Sequence, residues 1–383
     1  MKEKGLPREE IEKILKDAKG KDLDYSKGKI LSSMCTLPAP FSKEIWSSFI
    51  ETNLGDAGLF CGTKRLENEV IGILGALLKN EDAKGFMVSG GTEANIMALW
   101  AARNRAKREK PEFIAPMTAH FSFEKASDLL NMRLVRAKTL ADHTVDAKDV
   151  EKHITDNTVA VVGIAGNTEY GTVDNIEMLG EIATENSLYL HVDAAFGGFV
   201  LPFLKELGYP TRRFDFSIPG VSSIATDPHK MGMSPIPSGC ILFRNGSFLE
   251  HIETSSPYLT EKKQFTIIGT RTGASAASTY AVLKSFGREG YRDNVKGCME
   301  LSMRLYGEIK RMRFDITKPV MNIIVFNHDE INTIADSLAI KGWTISRTRM
   351  GEIRLVLMPH VSEDSIDEFI RDLEEIVKHL KGV

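Results

Sequence analysis

Between residues 85 and 226 the chain alternates short apolar runs with segments of helical period, and this alternation restricts the fold more than any other feature. Gly85 to Val88, Phe113 to Met117, Val159 to Ala165 and Leu188 to Val192 read as strands, and Ser222 to Thr226 is a further apolar stretch. Glu67 to Lys79, Thr92 to Arg108, Ser122 to Leu130 and Ile176 to Asn186 read as helices. A βαβα rhythm of this kind predicts an α/β fold, a mostly parallel central sheet flanked by helices.

The two ends differ from this middle. Residues 7–19 predict an amphipathic helix with Ile11, Ile14, Leu15 and Ala18 on one face and Pro7 near its start. A polar, turn-rich stretch follows to about residue 42. After residue 285 one long helix is expected over Gly287 to Arg313, then a strand at Met321 to Phe326, a helix at Glu330 to Ile340, and strand-like WTIS and IRLVLM. The last helix, Ser362 to Leu380, carries Ile366, Phe369, Leu373 and Ile376 as a core-facing stripe. The division expected is an N-terminal helix and extended segment (1–45), a large domain (46–285) and a smaller C-terminal α+β domain (286–383).

Composition excludes several function classes. A net charge of −3 over 383 residues gives no basis for nucleic-acid or anionic-membrane binding. No apolar run reaches the roughly 18–20 residues of a membrane span. The charged start, MKEKGLPREEIEKIL, has no apolar core of a secretory signal. The four cysteines, Cys35, Cys61, Cys240 and Cys298, form no C-x-x-C pair and no zinc-spaced cluster, so no metal is expected and a reducing cytoplasm is.

Four motifs carry chemistry. In SGGTEAN (Ser89 to Asn95), Gly90 and Gly91 let backbone approach an anion, Thr92 adds a hydroxyl, and a helix start adds free N–H groups. The motif is neither G-x-x-x-x-G-K-[ST] nor G-x-G-x-x-G, which argues against nucleoside triphosphate and dinucleotide sites. Asp193 ends the strand-like LYLHV, and small residues follow it, with Ala195 placed to pack on a flat ring. His120 stands between an apolar run and a helix, where imidazole can stack on a ring. Lys230 follows Asp227, Pro228 and His229 after the last apolar run. As a nucleophile it needs a pKa lowered by burial or a cationic neighbour. Each motif alone also fits a plain turn, a helix cap, a half-buried histidine or a solvated lysine. The ordered set is what pyridoxal phosphate requires: a phosphate cradle, a ring stacker, a carboxylate for the pyridine nitrogen and an amine for the aldehyde.

With NLGDAGLFCGTKRLE, GNTEYGTVDNI, SPYLT, GTRTGASAA and IRLVLMPH added, the chain resembles the group II pyridoxal phosphate decarboxylases over essentially its whole length. Within them it is most similar to the archaeal tyrosine/aspartate decarboxylases. The resemblance implies the fold-type I architecture of pyridoxal phosphate enzymes and a homodimer with active sites at the interface. It implies Lys230 as the tethering amine, Asp193 at the pyridine nitrogen, His120 on the ring, and Gly91, Thr92 and His229 at the phosphate. Thr168 is implied near the ring 3-hydroxyl, Thr270 at the phosphate of the neighbouring subunit, and Arg354 at the substrate α-carboxylate. The pocket for the substrate side chain is implied near Ser33 and Thr36, which suit a small carboxylate, and near Leu59 and Phe60, which suit a phenol.

One departure concerns the proton donor. In aromatic amino acid decarboxylases a mobile loop supplies a tyrosine, whereas EKKQFTII, between SPYLT and GTRTG, has none. Tyr258, His120 and Lys230 all stay open as donors. The reaction implied is decarboxylation of an L-amino acid: aspartate to β-alanine, a coenzyme A precursor, or tyrosine to tyramine, a methanofuran precursor. The alternatives are another C–C lyase on the same fold, resembling sphingosine phosphate lyase, and a non-catalytic scaffold.

Overall fold

A computed structural model describes Met1 and residues 3–380. Helix α1 (Arg8–Lys19) forms where its period predicts, with acidic Glu9 and Glu10 in its first turn and Lys16 and Lys19 in its last, matching the helix dipole. None of its residues is buried, and Ile11, Ile14 and Leu15 face outward. Helix α2 (Ser42–Ser48) follows. Helix α3 (Cys61–Leu77) begins well before the expected Glu67, because Lys64 and Glu67 pair at 2.8 Å across its early turns and make a polar opening helical.

The large sheet is built from β1 (Lys84–Val88), β2 (Glu112–Pro116), β3 (Arg133–Ala137), β4 (Thr158–Ile164), β5 (Tyr189–Asp193), β6 (Val221–Thr226) and β7 (Gly239–Phe243). Between them run α4 (Gly91–Ala106), α5 (Ser122–Leu130), α6 (Ala147–Lys152), α7 (Ile176–Glu185) and α8 (Leu201–Glu206). The strand order is β1-β7-β6-β5-β4-β2-β3. The β6–β5–β4–β2–β3 pairings are parallel, while β7 runs antiparallel to both β6 and β1. Strand β7 reverses because residues 227–238 return the chain directly, without the crossover helix a parallel neighbour needs. Strands β4 to β7 are buried along their whole length, as a sheet covered on both faces must be. One apolar cluster takes in Leu74, Ile176, Leu179 and Val282 on one face; the other takes in Met97, Leu99 and Phe123 on the opposite face.

A short hairpin, β8 (Thr254–Ser255) with β9 (Lys263–Gln264), precedes α9 (Gly273–Arg311). The helix expected over Gly287 to Arg313 forms, ending at Arg311, and a further rod that was not expected precedes it. Gly287, at φ 54° and ψ −167°, breaks α9 into two rods, and the first (273–286) packs its Ala- and Ser-rich face against the large domain. The C-terminal part holds β10 (Asp315–Ile316), β11 (Ile323–Asn327), α10 (Ile331–Ile340), β12 (Ser346–Arg347), β13 (Ile353–Val356) and α11 (Glu363–Leu380). Its antiparallel sheet has the order β10-β11-β13-β12. The N-terminal segment joins it: Val356 N donates to Leu31 O at 2.7 Å and Leu31 N to Thr344 O at 2.8 Å. Among the described residues, no helix is long and apolar enough to cross a membrane.

Candidate active site

The carboxyl ends of β2, β4, β5 and β6 and the amino end of α4 open on one cavity of about 380 Å³. That is where a doubly wound sheet leaves room for a ligand. Gly91, Thr92, His120, Thr168, Asp193, Ala195, His229 and Lys230 all line it.

Alternation along β5 turns Asp193 into the cavity from a strand that is otherwise wholly enclosed. Its Oδ1 accepts from Ala195 N at 3.0 Å and its Oδ2 from Asn95 Nδ2 at 2.8 Å. Lys230 lies in the turn after β6, with Nζ 3.1 Å from Asp227 Oδ2. Burial pushes the lysine pKa down, but the carboxylates of Asp227 and Asp193 outweigh it and hold the pKa above the ordinary value. The expectation of a lowered pKa from a cationic or apolar neighbour is thereby corrected: the nearest partner is an anion.

The two histidines have defined tautomers when neutral. Ser238 N donates to His229 Nδ1 at 3.0 Å and Ser122 N to His120 Nδ1 at 3.2 Å, so each ring carries its proton on Nε2. Burial lowers the pKa of both, against the raising effect of Asp227 on His229 and of Asp193 on His120. At Gly91 an added Cβ would stand 3.1 Å from both Ala195 Cβ and Asp227 Oδ2, so the first turn of α4 admits only glycine without a shift. Glu93 caps the approach to that turn, accepting from Ser89 N and Ser89 Oγ at 2.8 Å each.

Other expected residues lie elsewhere. Tyr258, 85 % exposed, and Thr270 line a separate groove with Asn53 and Gly55. Leu59 is exposed beside the start of α3, and Phe60 is half-buried there. Arg354, on β13, is 5 % exposed. Its Nη1 donates to Ser32 O at 3.1 Å and Ser346 Oγ at 2.9 Å, while Nε and Nη2 are buried without an acceptor. Burial pushes its pKa down to about 10.

The hydroxyls of Ser33 and Thr36 are engaged with protein partners. His360 Nε2 faces the Ile30 carbonyl at 2.9 Å, so it donates there, and its bare Nδ1 accepts from Thr36 Oγ1 at 2.9 Å. Ser33 Oγ has acceptors in Cys35 O at 3.1 Å and Tyr25 OH at 2.8 Å. In this arrangement both hydroxyls already have protein partners.

Asn95 and Asp227 were not singled out from sequence. Both were within reach of a spacing argument: Asn95 is one helical turn beyond Gly91, and Asp227 is three residues before Lys230.

A cradle tight against any Cβ, an enclosed carboxylate and a lysine lining the same cavity, and buried Thr118 Oγ1 and Asp227 Oδ1 without partners fit pyridoxal phosphate. Residues 61–329 match the pyridoxal-dependent decarboxylase conserved domain. The chain belongs to the pyridoxal-dependent decarboxylases.

A probable L-tyrosine/L-aspartate decarboxylase from Methanothermobacter thermautotrophicus is 51% identical, over 92% of this chain and 99% of its own length. An L-aspartate decarboxylase from Thermococcus kodakarensis is 48% identical, over 99% of each chain. Among solved structures, a sphingosine-1-phosphate lyase from Burkholderia pseudomallei superposes with a TM-score of 0.92 at 30% identity, covering 99% of this chain and 92% of that one. The decarboxylase thus has the fold-type I architecture and uses pyridoxal phosphate.

Proposed function

We propose that this decarboxylase converts L-aspartate to β-alanine and carbon dioxide, with L-tyrosine to tyramine as a second reaction. The observation that carries the reading is Arg354, a buried guanidinium with two N–H bearing atoms left without acceptors. Such a group suits a carboxylate, which it can grip through two parallel hydrogen bonds. Both relatives above have aspartate in their names, and both come from archaea. β-Alanine would serve coenzyme A synthesis and tyramine methanofuran synthesis, in a reducing cytoplasm that suits four free thiols.

In this reading Gly91, Thr92 and His229 hold the cofactor phosphate, with the Nε2 proton of His229 as a donor. Lys230 tethers the aldehyde, Thr168 meets the ring hydroxyl, Ala195 and His120 enclose the ring, and Asp193 faces its nitrogen. The bound cofactor supplies an electron sink for the breaking Cα–carboxylate bond. Arg354 orients the α-carboxylate. Asp227 retains a proton on Lys230 Nζ, and His120 carries one on Nε2, so both stand inside the cavity as donors to the product carbon. Tyr258 reaches a site only across a subunit interface. A homodimer is part of the proposal, supported by the separate groove that holds Thr270 and Tyr258 and by the unpacked apolar face of α1.

The likeness to sphingosine-1-phosphate lyase favours one second reading, a C–C lyase acting on a phosphorylated amine. Carbon dioxide release from each L-amino acid by the cofactor-loaded protein separates the two. Aspartate is expected to give carbon dioxide and β-alanine in equal amounts. No release from any amino acid overturns the proposal.

A further inference from the structure

Below Asp193 a line of enclosed side chains runs back between the sheet and α4. Asn95 Nδ2 donates to Asp193 Oδ2 at 2.8 Å and also lies 2.9 Å from Ser122 Oγ. Asn95 Oδ1 is 2.8 Å from His191 Nε2, and His191 Nδ1 is 2.8 Å from Ser223 Oγ. The elements dictate this line. His191 is two residues before Asp193 on β5, so both side chains leave the same face. Strand β6 places Ser223 directly opposite His191 in register, and α4 lays Asn95 across that face. Asn95, His191 and Ser223 are all buried.

The ends of the line order its protons. A carboxylate only accepts, so Asn95 turns its NH2 towards Asp193 and its carbonyl towards His191. That carbonyl only accepts, so His191 carries a proton on Nε2. In a neutral imidazole Nδ1 is then bare, and Ser223 donates to it. Burial keeps the ring neutral, pushing its pKa down to about 4. No group along the line is left to bring a second positive charge to Asp193.

We propose that Asn95, His191 and Ser223 are positioning residues for the decarboxylation, a proton-ordered support that fixes which way Asn95 faces and thereby holds the Asp193 carboxylate against the cofactor ring nitrogen. The proposal rests on the assignment of Asp193 to that nitrogen. Without the His191 donor, Asn95 Oδ1 is left buried and unpaired, and the amide that faces Asp193 loses the anchor on its far side. Asp193 would then keep the Ala195 N–H and a less firmly held Asn95 NH2.

The first test needs no substitution. Histidine 15N spectra of the cofactor-free protein are expected to show His191 protonated on Nε2 and bare on Nδ1, unchanged over roughly pH 5 to 8. An imidazolium in that range, or a proton on Nδ1, overturns the ordering. The second test compares His191→Leu, which removes the donor, with His191→Gln, which keeps an N–H directed at Asn95. The leucine variant is expected to hold the cofactor roughly tenfold or more weakly, to shift its visible absorption band and to lose kcat more than KM. The glutamine variant is expected to recover most of each. Wild-type affinity, band and kcat in the leucine variant overturn the proposal, as does a glutamine variant no better than leucine. Asp193→Asn serves as the reference: unchanged cofactor binding there means the Asp193 assignment fails, whereas a defect there with none in His191→Leu removes the support alone.

Discussion

At the scale of single residues the chemistry turns on charges that lack their usual company. Arg354 is enclosed with no carboxylate within its hydrogen bonds. Leaving such a guanidinium unpaired is costly, and an anionic ligand relieves that cost. Truncating one partner of a buried charge pair removes about 2–5 kcal/mol. Arg354→Ala is therefore expected to lower kcat/KM for aspartate by roughly 30-fold to several thousand-fold, with cofactor absorbance unchanged. Arg354→Lys is expected to recover only part, because an ammonium cannot form the two-pronged grip. Steady-state kinetics on the three proteins check this. Lys230 offers a covalent test: borohydride reduction of the cofactor-loaded chain followed by peptide mapping is expected to label Lys230 and no other lysine. Lys230 and Asp193 were legible because Asp193 ends a strand-like run and Lys230 stands in the turn just after another. The anionic neighbour of Lys230 reverses the expected direction of its pKa, since the sequence does not say which way Asp227 points.

At the scale of elements, two glycines show how the framework serves the cavity. Gly239 opens β7 against the amino end of α4, and a Cβ there would collide with the Gly90 backbone. Gly239→Ala is expected to push the strand from the phosphate cradle, lowering both melting temperature and cofactor affinity, read by calorimetry and by cofactor titration. Gly287 is different, because a Cβ there meets nothing within 4 Å. Its cost is backbone strain alone, about 1–3 kcal/mol for a residue forced into that region. Gly287→Ala is expected to lower the unfolding free energy by that amount, read from urea titration, and leave cofactor affinity intact. The kink was hidden in the sequence because the stretch before it opens on GASAAS, small residues that show no apolar helical period.

Across the whole molecule, assembly and acid response follow from what is covered. A dimer of two 42.5 kDa chains is expected by light scattering, with activity falling on dilution into the monomer range even at saturating cofactor. Burial lowers the pKa of His120, His191, His229 and His360. A histidine whose folded pKa is depressed contributes stability present above its unfolded value of 6.5 and lost as pH falls. The drop of His191 to about 4 corresponds to roughly 3 kcal/mol. Asp174 acts oppositely: burial raises it from 3.8 to about 6, so its contribution is present below 3.8 and lost as pH rises through 6. The other three histidines act in the direction of His191, and Glu67 and Glu112, both held below the ordinary carboxylate value, also lose stability as pH falls. Urea midpoints of the cofactor-free protein are therefore expected to fall between pH 6.5 and 4.

The α/β class, the parallel strands, the cradle and the identities of Lys230, Asp193 and His120 were set by local pattern: apolar period, helix-start glycines and strand-end polar residues are properties of neighbours in sequence. The reversal of β7, the bare outer face of α1, the support of Asp193 by Asn95 and His191, and the committed hydroxyls of Ser33 and Thr36 were not. Each depends on atoms far apart in the chain, 96 positions in the pair Asn95 and His191 and 324 in Thr36 and His360. Direction and proton sharing across such separations are decided only when packing brings the partners to hydrogen-bond distance.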